Sequence, residues 1–226
     1  MEEIILIVLI LLALLTIFCL YKMLDKRGFY FALVILNIIS FVLAFKITYV
    51  FKMNINTSII AIIPTLTIMY IFLAKYGHKD INNLIKITLY SNIITALLII
   101  IMNYFVPAVT ETISINIQGT FEYNYKILIA YPILMLITQK CIVKLYKLVF
   151  TIQENIILCT ILTHVITSVL YTIIFCLVSY ISIMKVKYSL FIGISTYIIG
   201  LPIMIINIIF INYLLKNKKV KSWVMK

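Results

Sequence analysis

Long runs of apolar residues follow one another along this chain, and short polar segments separate them. A helix needs about 20 residues to cross a bilayer core of about 30 Å, and seven of the runs are close to that length or longer. Because lipid offers no hydrogen-bond partner to the backbone, such runs are predicted to be helices. The seven predicted spans are 4–21, 29–51, 57–74, 87–106, 127–149, 156–184 and 188–214.

This pattern predicts an all-α, polytopic integral membrane protein with one transmembrane domain over residues 1–226. The first run follows Glu2 and Glu3, whereas a cleaved signal peptide begins with basic residues, so we interpret it as a retained helix. The other six spans divide into two sets of three. A set of three reverses direction, so inverted repeats, a common transporter plan, are one interpretation of the division.

Composition agrees with a membrane class. Hydrophobic residues make up 65% of the chain and charged residues 12%, which excludes a water-soluble domain. The segments between the spans are short, and the longest is the loop at 107–126, which is either a plain connector or a lid. Any function is therefore expected inside or across the bilayer.

The net charge of +12 is interpreted as a topology signal. Most basic residues follow the first, third, fifth and seventh spans, and basic loops face the cytoplasm. The sequence thus predicts a cell-membrane protein with its N-terminus outside and its C-terminus in the cytoplasm. The lipid bilayer is the expected macromolecular partner, and no nucleic acid is expected.

A polar stripe marks the sixth span. Its members recur at intervals of three and four, so they share one face of a helix: Thr160, Thr163, His164, Thr167, Ser168 and Tyr171. One interpretation is hydrogen bonding between helices and back to the helix itself. The other is one wall of a binding site, with His164 and Ser168 as donors or acceptors and Tyr171 as a stacking surface.

Three further polar residues lie within other spans. Gln139 and Asn92 carry neutral amides, which either join helices or recognise the hydrogen-bonding edge of a ligand. Lys46 lies about five residues before the end of the second span. Its ammonium group either reaches the outer interface along its apolar stem or faces an internal cavity.

Acidic residues lie outside all seven spans, at positions 2, 3, 25, 80, 111, 122 and 154. A proton cycle based on an intramembrane carboxylate is therefore not expected. The sequence carries no zinc-peptidase, nucleophile-elbow or phosphate-loop motif, so we expect neither an enzyme nor a cofactor or metal. The four cysteines lie in apolar segments without paired spacing and are expected to be small buried thiols.

Several short segments resemble the queuosine-precursor transporters, also called the vitamin-uptake-transporter family. The segments that carry the likeness are LYKMLDKRGFY, LAFKITYVF, LAKYGHKD, INNLIKITLYSN, ILIAYPILMLITQ and LYTIIF. On this resemblance Lys46 is the family's intramembrane lysine, and Gln139 closes the motif of the fifth span. Tyr76, Gly77, Lys79 and Asn92 match the inner loop and the asparagine that follows it.

The chain also departs from the family pattern. The residues that stand where the family commonly has charged side chains are Tyr70, Ala74, Ser168, Tyr171, Gly200 and Met204. Carboxylates are the natural partners of the N–H edge of a 7-deazaguanine, because they accept two parallel hydrogen bonds. The resemblance therefore supports the fold more than the substrate.

Together, the residues and the resemblance predict an importer of a small planar heterocycle, most simply queuine or a related 7-deazapurine. The expected site residues are Lys46, Tyr70, Asn92, Gln139, His164, Ser168 and Tyr171. Uptake is driven either by trapping inside the cell or by an ATP-driven energy-coupling module. In the second case this chain is the substrate-binding component of an energy-coupling importer, and its substrate is another micronutrient. A membrane assembly factor or sensor that transports nothing is the alternative from another class.

Overall fold

A computed structural model describes residues 2–76, 78–103, 125–152, 155–181 and 183–216 of the chain. Over these residues the fold consists of seven helices and one β-hairpin. In chain order they are α1 (Glu2–Leu24), α2 (Lys26–Leu43), β1 (Ile47–Val50), β2 (Met53–Asn56), α3 (Ile59–Lys75), α4 (His78–Asn103), α5 (Tyr125–Ile152), α6 (Ile156–Tyr180) and α7 (Val186–Lys216). The predicted all-α, polytopic membrane fold is confirmed.

Helix α3 is the centre of the bundle. The other six helices are long and apolar enough to cross a membrane, whereas α3 has 17 residues and rises about 25 Å. All of its residues are buried, and α1, α2, α4 and α7 pack around it. A helix that is apolar on every side belongs in the interior of such a bundle, away from lipid.

The bundle has two distinct ends. The hairpin end carries the β-hairpin, and there the Phe51 N–H donates to Glu3 Oε1 over 3.4 Å. The lysine end carries Lys22 and Lys75, in the last turns of α1 and α3, and Lys147, five residues before the end of α5. Lys75 Nζ donates to the Leu214 carbonyl oxygen over 2.9 Å, which joins α3 to the last turns of α7.

The predicted second span, 29–51, is wrong at its C-terminal side. Helix α2 ends at Leu43, and the chain then forms an antiparallel hairpin in which Ile47 pairs with Asn56 and Val50 with Met53. The two-residue turn at 51–52 has positive φ values of 50° and 61°, as a type I′ turn requires. An apolar run rich in β-branched and aromatic residues suits a strand as well as a helix, so hydropathy did not separate the two.

Helix α6 contains a π-helical turn at Leu170–Ile174. Gly193 of α7 packs directly against this turn, because a Cβ at Gly193 would lie only 2.9 Å from Ile173 Cα. π-Turns often occur at functional sites, and this one carries Tyr171. The predicted loop at 107–126 lies outside the described residues except for its last two, which begin α5, and residues 217–226 lie outside them as well.

Candidate functional site

Tyr70 is the point at which α3 meets α5 and α6. Its ring centroid lies 5.6 Å from that of His164 on α6 and 6.2 Å from that of Tyr146 on α5. Its hydroxyl lies 3.4 Å from Thr167 Oγ1. All four side chains are buried, and together they form the Tyr70 cluster (Tyr70, Tyr146, His164 and Thr167).

Gln139 lies on α5 at the level of this cluster. Helices α5 and α6 are antiparallel, and the ring of Tyr131 lies 6.0 Å from that of Phe175. Gln139 lies eight residues after Tyr131, and Thr167 lies eight residues before Phe175, so Gln139 and Thr167 lie at about the same depth in the bundle. Gln139 is buried, and it lies two turns from Tyr146 on the same face of α5.

The facing surfaces of α5 and α6 carry polar atoms that lack partners. Among the described residues, six buried atoms on these two helices have no hydrogen-bond partner. One is Ser179 Oγ, near the hairpin end of α6, and the other five are Thr138 Oγ1, Gln139 Nε2, Tyr146 OH, Thr163 Oγ1 and His164 Nε2. The Thr160 hydroxyl lies near Tyr146 but donates to the Ile156 carbonyl oxygen instead. Each unmade hydrogen bond costs about 1–3 kcal/mol, so five on facing helices point to a missing ligand or to water.

Chemically, this region offers neutral recognition groups. The Gln139 amide nitrogen donates, and His164 Nε2 donates or accepts according to its tautomer. The rings of Tyr70 and Tyr146 supply apolar faces whose planes are inclined by 38°. The chemistry of such a set is complementary to an uncharged molecule that has a flat face and a hydrogen-bonding edge.

Tyr171 belongs to a different group of residues, nearer the hairpin end. Its hydroxyl donates to Ser58 Oγ over 2.9 Å, and its ring stacks on Phe175 at 5.4 Å. Ser58 in turn donates to Asn56 Oδ1. These residues form the Tyr171 cluster (Asn56, Ser58, Tyr171 and Tyr180).

Asn56 is the hub of the Tyr171 cluster. Its side-chain nitrogen donates to the Ala44 carbonyl oxygen over 2.9 Å and to the Tyr180 hydroxyl, and its Oδ1 accepts from the Ser58 N–H over 3.0 Å. Its own N–H donates to Thr196 Oγ1 over 2.9 Å. Asn56 therefore ties the hairpin to α2, α6 and α7 with every side-chain polar atom in use.

Asn92, on α4, pairs with Asn37 on α2. Asn37 Nδ2 donates both to Asn92 Oδ1 and, over 2.9 Å, to Ser91 Oγ. The Tyr131 hydroxyl donates to the Asn37 carbonyl oxygen over 3.4 Å. We call Asn37 and Asn92 the amide pair.

The last two predicted site residues take no part in these clusters. Ser168 Oγ donates to the Val165 carbonyl oxygen of its own helix over 3.1 Å, which is the back-bonding interpretation. Lys46 was predicted inside the second span, but it lies beyond the end of α2 and is exposed. It lines a pocket of about 250 Å³ between α1, α2 and the hairpin.

The seven predicted residues thus divide by position. Tyr70 and His164 are in contact, and Gln139 lies on α5 at about their level, while Asn92 and Tyr171 lie in separate groups nearer the hairpin end. No protein-family model, curated protein or solved structure matches the chain. The resemblance to queuosine-precursor transporters therefore remains an expectation based on short motifs.

Sequence analysis missed several residues of these groups. They are Asn37, Asn56, Ser58, Tyr131 and Tyr146. For Tyr146 a signal existed, because it follows Gln139 by seven residues and so shares its helical face. Asn56 lies between two predicted spans and Ser58 is the second residue of the next one, and polar residues at such a boundary are too common to indicate a site.

Proposed function

We propose that this chain is a membrane transporter that imports a small planar heterocycle, a queuosine precursor of the 7-deazapurine class to which queuine belongs. The observation that carries the proposal is the row of unpaired polar atoms on α5 and α6 beside the aromatic rings of the Tyr70 cluster. A planar base satisfies both halves of this surface. One of its faces stacks on the ring of Tyr70 or Tyr146, and its edge pairs with Gln139 and His164.

The absence of charged side chains among the residues described around Tyr70 favours uncharged members of this substrate class. The acidic residues of the chain lie outside all seven predicted spans, and the side chains around Tyr70 are neutral hydrogen-bonding groups. A cation moved into an apolar interior without a counter-ion carries a large desolvation cost. The uncharged 7-cyano-7-deazaguanine therefore fits this surface better than precursors with a protonated amine, queuine included.

The orientation that suits import places the lysine end in the cytoplasm of a cell membrane. Exposed basic side chains at or towards that end support it: Lys22, Arg27, Lys86, Lys144 and Lys147. The hairpin end then faces outward, and the substrate enters there. Two reporters fused after residue 226 test this orientation. A fluorescent protein that folds only in the cytoplasm is expected to fluoresce, and alkaline phosphatase, which is active only outside the cytoplasm, is expected to be inactive. Active alkaline phosphatase would contradict the orientation.

The transport test uses a bacterial strain that cannot make queuosine and has lost its own precursor transporter. The chain is expressed alone, each precursor is supplied at a limiting concentration, and queuosine in tRNA is scored on a boronate gel. We expect rescue by the wild type, loss of rescue with Gln139→Leu, and rescue retained with Lys140→Gln, which changes the exposed neighbour of Gln139.

The outcomes separate the candidate functions. Rescue only after an ATP-driven energy-coupling module is co-expressed would identify the chain as the binding component of a larger importer. Failure to rescue with every precursor, with and without that module and despite confirmed membrane expression, would reject the proposed substrate class.

A further inference from the structure

The amide pair is an incompletely bonded polar site in the bundle interior. Asn37 and Asn92 are 0% and 1% exposed and come from two different helices. One hydrogen bond joins the two amides, and the second N–H of Asn37 goes to Ser91. Within the described ranges, Asn37 Oδ1 and Asn92 Nδ2 have no hydrogen-bond partner.

The bonding pattern is not that of a simple helix–helix contact. Two carboxamides that only hold helices together can exchange two reciprocal hydrogen bonds, whereas this pair makes one. One acceptor and one donor stay open, on neighbouring amides. If the amide nitrogen and oxygen are exchanged in both residues, one donor and one acceptor again stay open. A complementary ligand group must therefore offer one acceptor and one donor for either assignment.

The surroundings are aromatic and uncharged. The Tyr131 hydroxyl bonds to the Asn37 backbone, and the Tyr131 ring stacks on Phe41 with centroids 4.5 Å apart and planes inclined by 3°. The same ring meets Tyr171 edge-on at 6.3 Å. A flat and neutral molecule suits this environment, whereas a charged group would be buried without a counter-ion.

We propose that the amide pair is a second binding site, which recognises the adjacent N–H and C=O groups of a lactam or carboxamide. The ligand N–H donates to Asn37 Oδ1, and the ligand carbonyl accepts from Asn92 Nδ2. The pyrimidinone ring of a 7-deazaguanine carries these two groups side by side. This inference rests on the proposed function, because it takes the ligand from the same class.

Position gives this second site its role. Asn37 lies six residues before the end of α2 at the hairpin end, whereas Tyr70 lies eleven residues into α3 from that end. A ligand that arrives from the hairpin end therefore reaches the depth of the amide pair before that of Tyr70. The amide pair selects the edge of the base, and the Tyr70 cluster holds the base deeper in the bundle.

The test compares two ligands and two sets of side chains. The purified full-length protein in lipid nanodiscs is titrated with 7-deazaguanine and with 1-methyl-7-deazaguanine, whose methyl group removes the N–H donor. For the wild type we expect at least tenfold tighter binding of the unmethylated base. In the double variant Asn37→Leu/Asn92→Leu, affinity for that base should fall at least tenfold, and the two ligands should bind equally.

Two controls make the result specific. Asn83→Ala removes an exposed amide of the same helix as Asn92 and should leave both affinities unchanged. The comparison of ligands on the wild type needs no variant, so it can overturn the inference even if the double variant fails to fold, and Gln139→Leu then tests whether any discrimination comes from Gln139 instead. Equal binding of the two bases by the wild type would overturn the inference.

The same titrations separate this inference from the proposed function. Discrimination that persists in the double variant but disappears with Gln139→Leu would assign edge recognition to Gln139 and overturn the second site alone. A wild type that binds neither base, nor the 7-cyano and aminomethyl derivatives, would reject both proposals together.

Discussion

The Tyr171 cluster and the Tyr70 cluster have similar residues and opposite bonding. Both bury tyrosine and aliphatic hydroxyl side chains among apolar helices, and each has a buried amide in it or at its level, Asn56 and Gln139. In the Tyr171 cluster, Asn56, Ser58 and Tyr180 all bond to one another or to the backbone. Around Tyr70, by contrast, buried atoms of Gln139 and His164 lack partners among the described residues.

Bonding therefore distinguishes polar groups that stabilise a membrane protein from polar groups that are available to bind a ligand. In a fully bonded network, the hydrogen bonds between its members compensate for the cost of removing these groups from water. Removal of one member therefore leaves the others buried and unpaired. An unsatisfied group has no such partner to lose. Its replacement by an apolar side chain of similar size is nearly neutral for stability, while any ligand that pairs with it is bound less well.

The largest expected effect is on stability, at Asn56. Asn56→Ala leaves the Ala44 carbonyl and the hydroxyls of Ser58 and Tyr180 without their shared partner. We expect the free energy of unfolding to fall by about 2–5 kcal/mol, since several buried groups lose bonds at once. Thermal unfolding followed by size-exclusion chromatography in detergent measures the loss. Asn54→Ala, on the same strand but exposed, is the matched control, and equal melting temperatures for the two variants would contradict the prediction.

The next effect is on binding, at Gln139. Gln139→Leu removes a donor that has no partner in the described part of the chain, and it keeps the volume of the side chain. Ligand affinity should fall at least tenfold, or about 1.4 kcal/mol, while the melting temperature stays level or rises. Titration of nanodiscs with 7-cyano-7-deazaguanine gives the first quantity. A melting temperature that drops as far as that of Asn56→Ala would show that Gln139 is structural.

Two matched hydroxyl deletions compare the clusters directly. Tyr171→Phe loses a 2.9 Å bond to Ser58, whereas Tyr70→Phe loses only a 3.4 Å contact with Thr167. We expect Tyr171→Phe to lower the free energy of unfolding by about 1 kcal/mol and to leave ligand affinity unchanged.

For Tyr70→Phe we expect the reverse, with stability nearly unchanged and affinity reduced a few-fold. Unfolding and titration of both variants in parallel measure the two effects. If both variants lost stability equally and affinity equally, the division into two clusters would have no energetic basis.

Much of the fold was predictable because a helix that crosses a membrane is a long apolar run, which is visible in the hydropathy of the sequence. The first, fifth and seventh spans were predicted to within a few residues of α1, α5 and α7. The hairpin was not, because Ile47–Val50 is as apolar as a helix end, and its strand pairing depends on contacts with residues 53–56. Helix α4 begins at His78, nine residues before the prediction, because its polar first turns lie at the lysine end.

The site was predictable only in part. Helical periodicity shows which residues share one face of a helix, but it does not show which other helix packs against that face. It correctly placed His164, Thr167 and Tyr171 towards the bundle interior. It did not show that Tyr171 pairs with Ser58 while Tyr70 lies against His164, since that depends on how α3 sits between the other helices. Which polar atoms stay unpaired is likewise a property of packing between helices.

The smallest expected effect is at Lys46, and it tests the resemblance most directly. An intramembrane lysine that contacts substrate would make Lys46→Ala as damaging as Gln139→Leu. Here the ammonium group is exposed at the hairpin end, in a pocket lined by α1 and the hairpin and remote from the Tyr70 cluster. We therefore expect uptake within twofold of the wild type and a change in unfolding free energy below about 0.5 kcal/mol, as for other exposed positions. The tRNA modification assay at limiting precursor measures the first value. A tenfold loss of uptake with unchanged stability would place the substrate at the hairpin-end pocket, and the polar atoms around Tyr70 would then lose their role as the binding site.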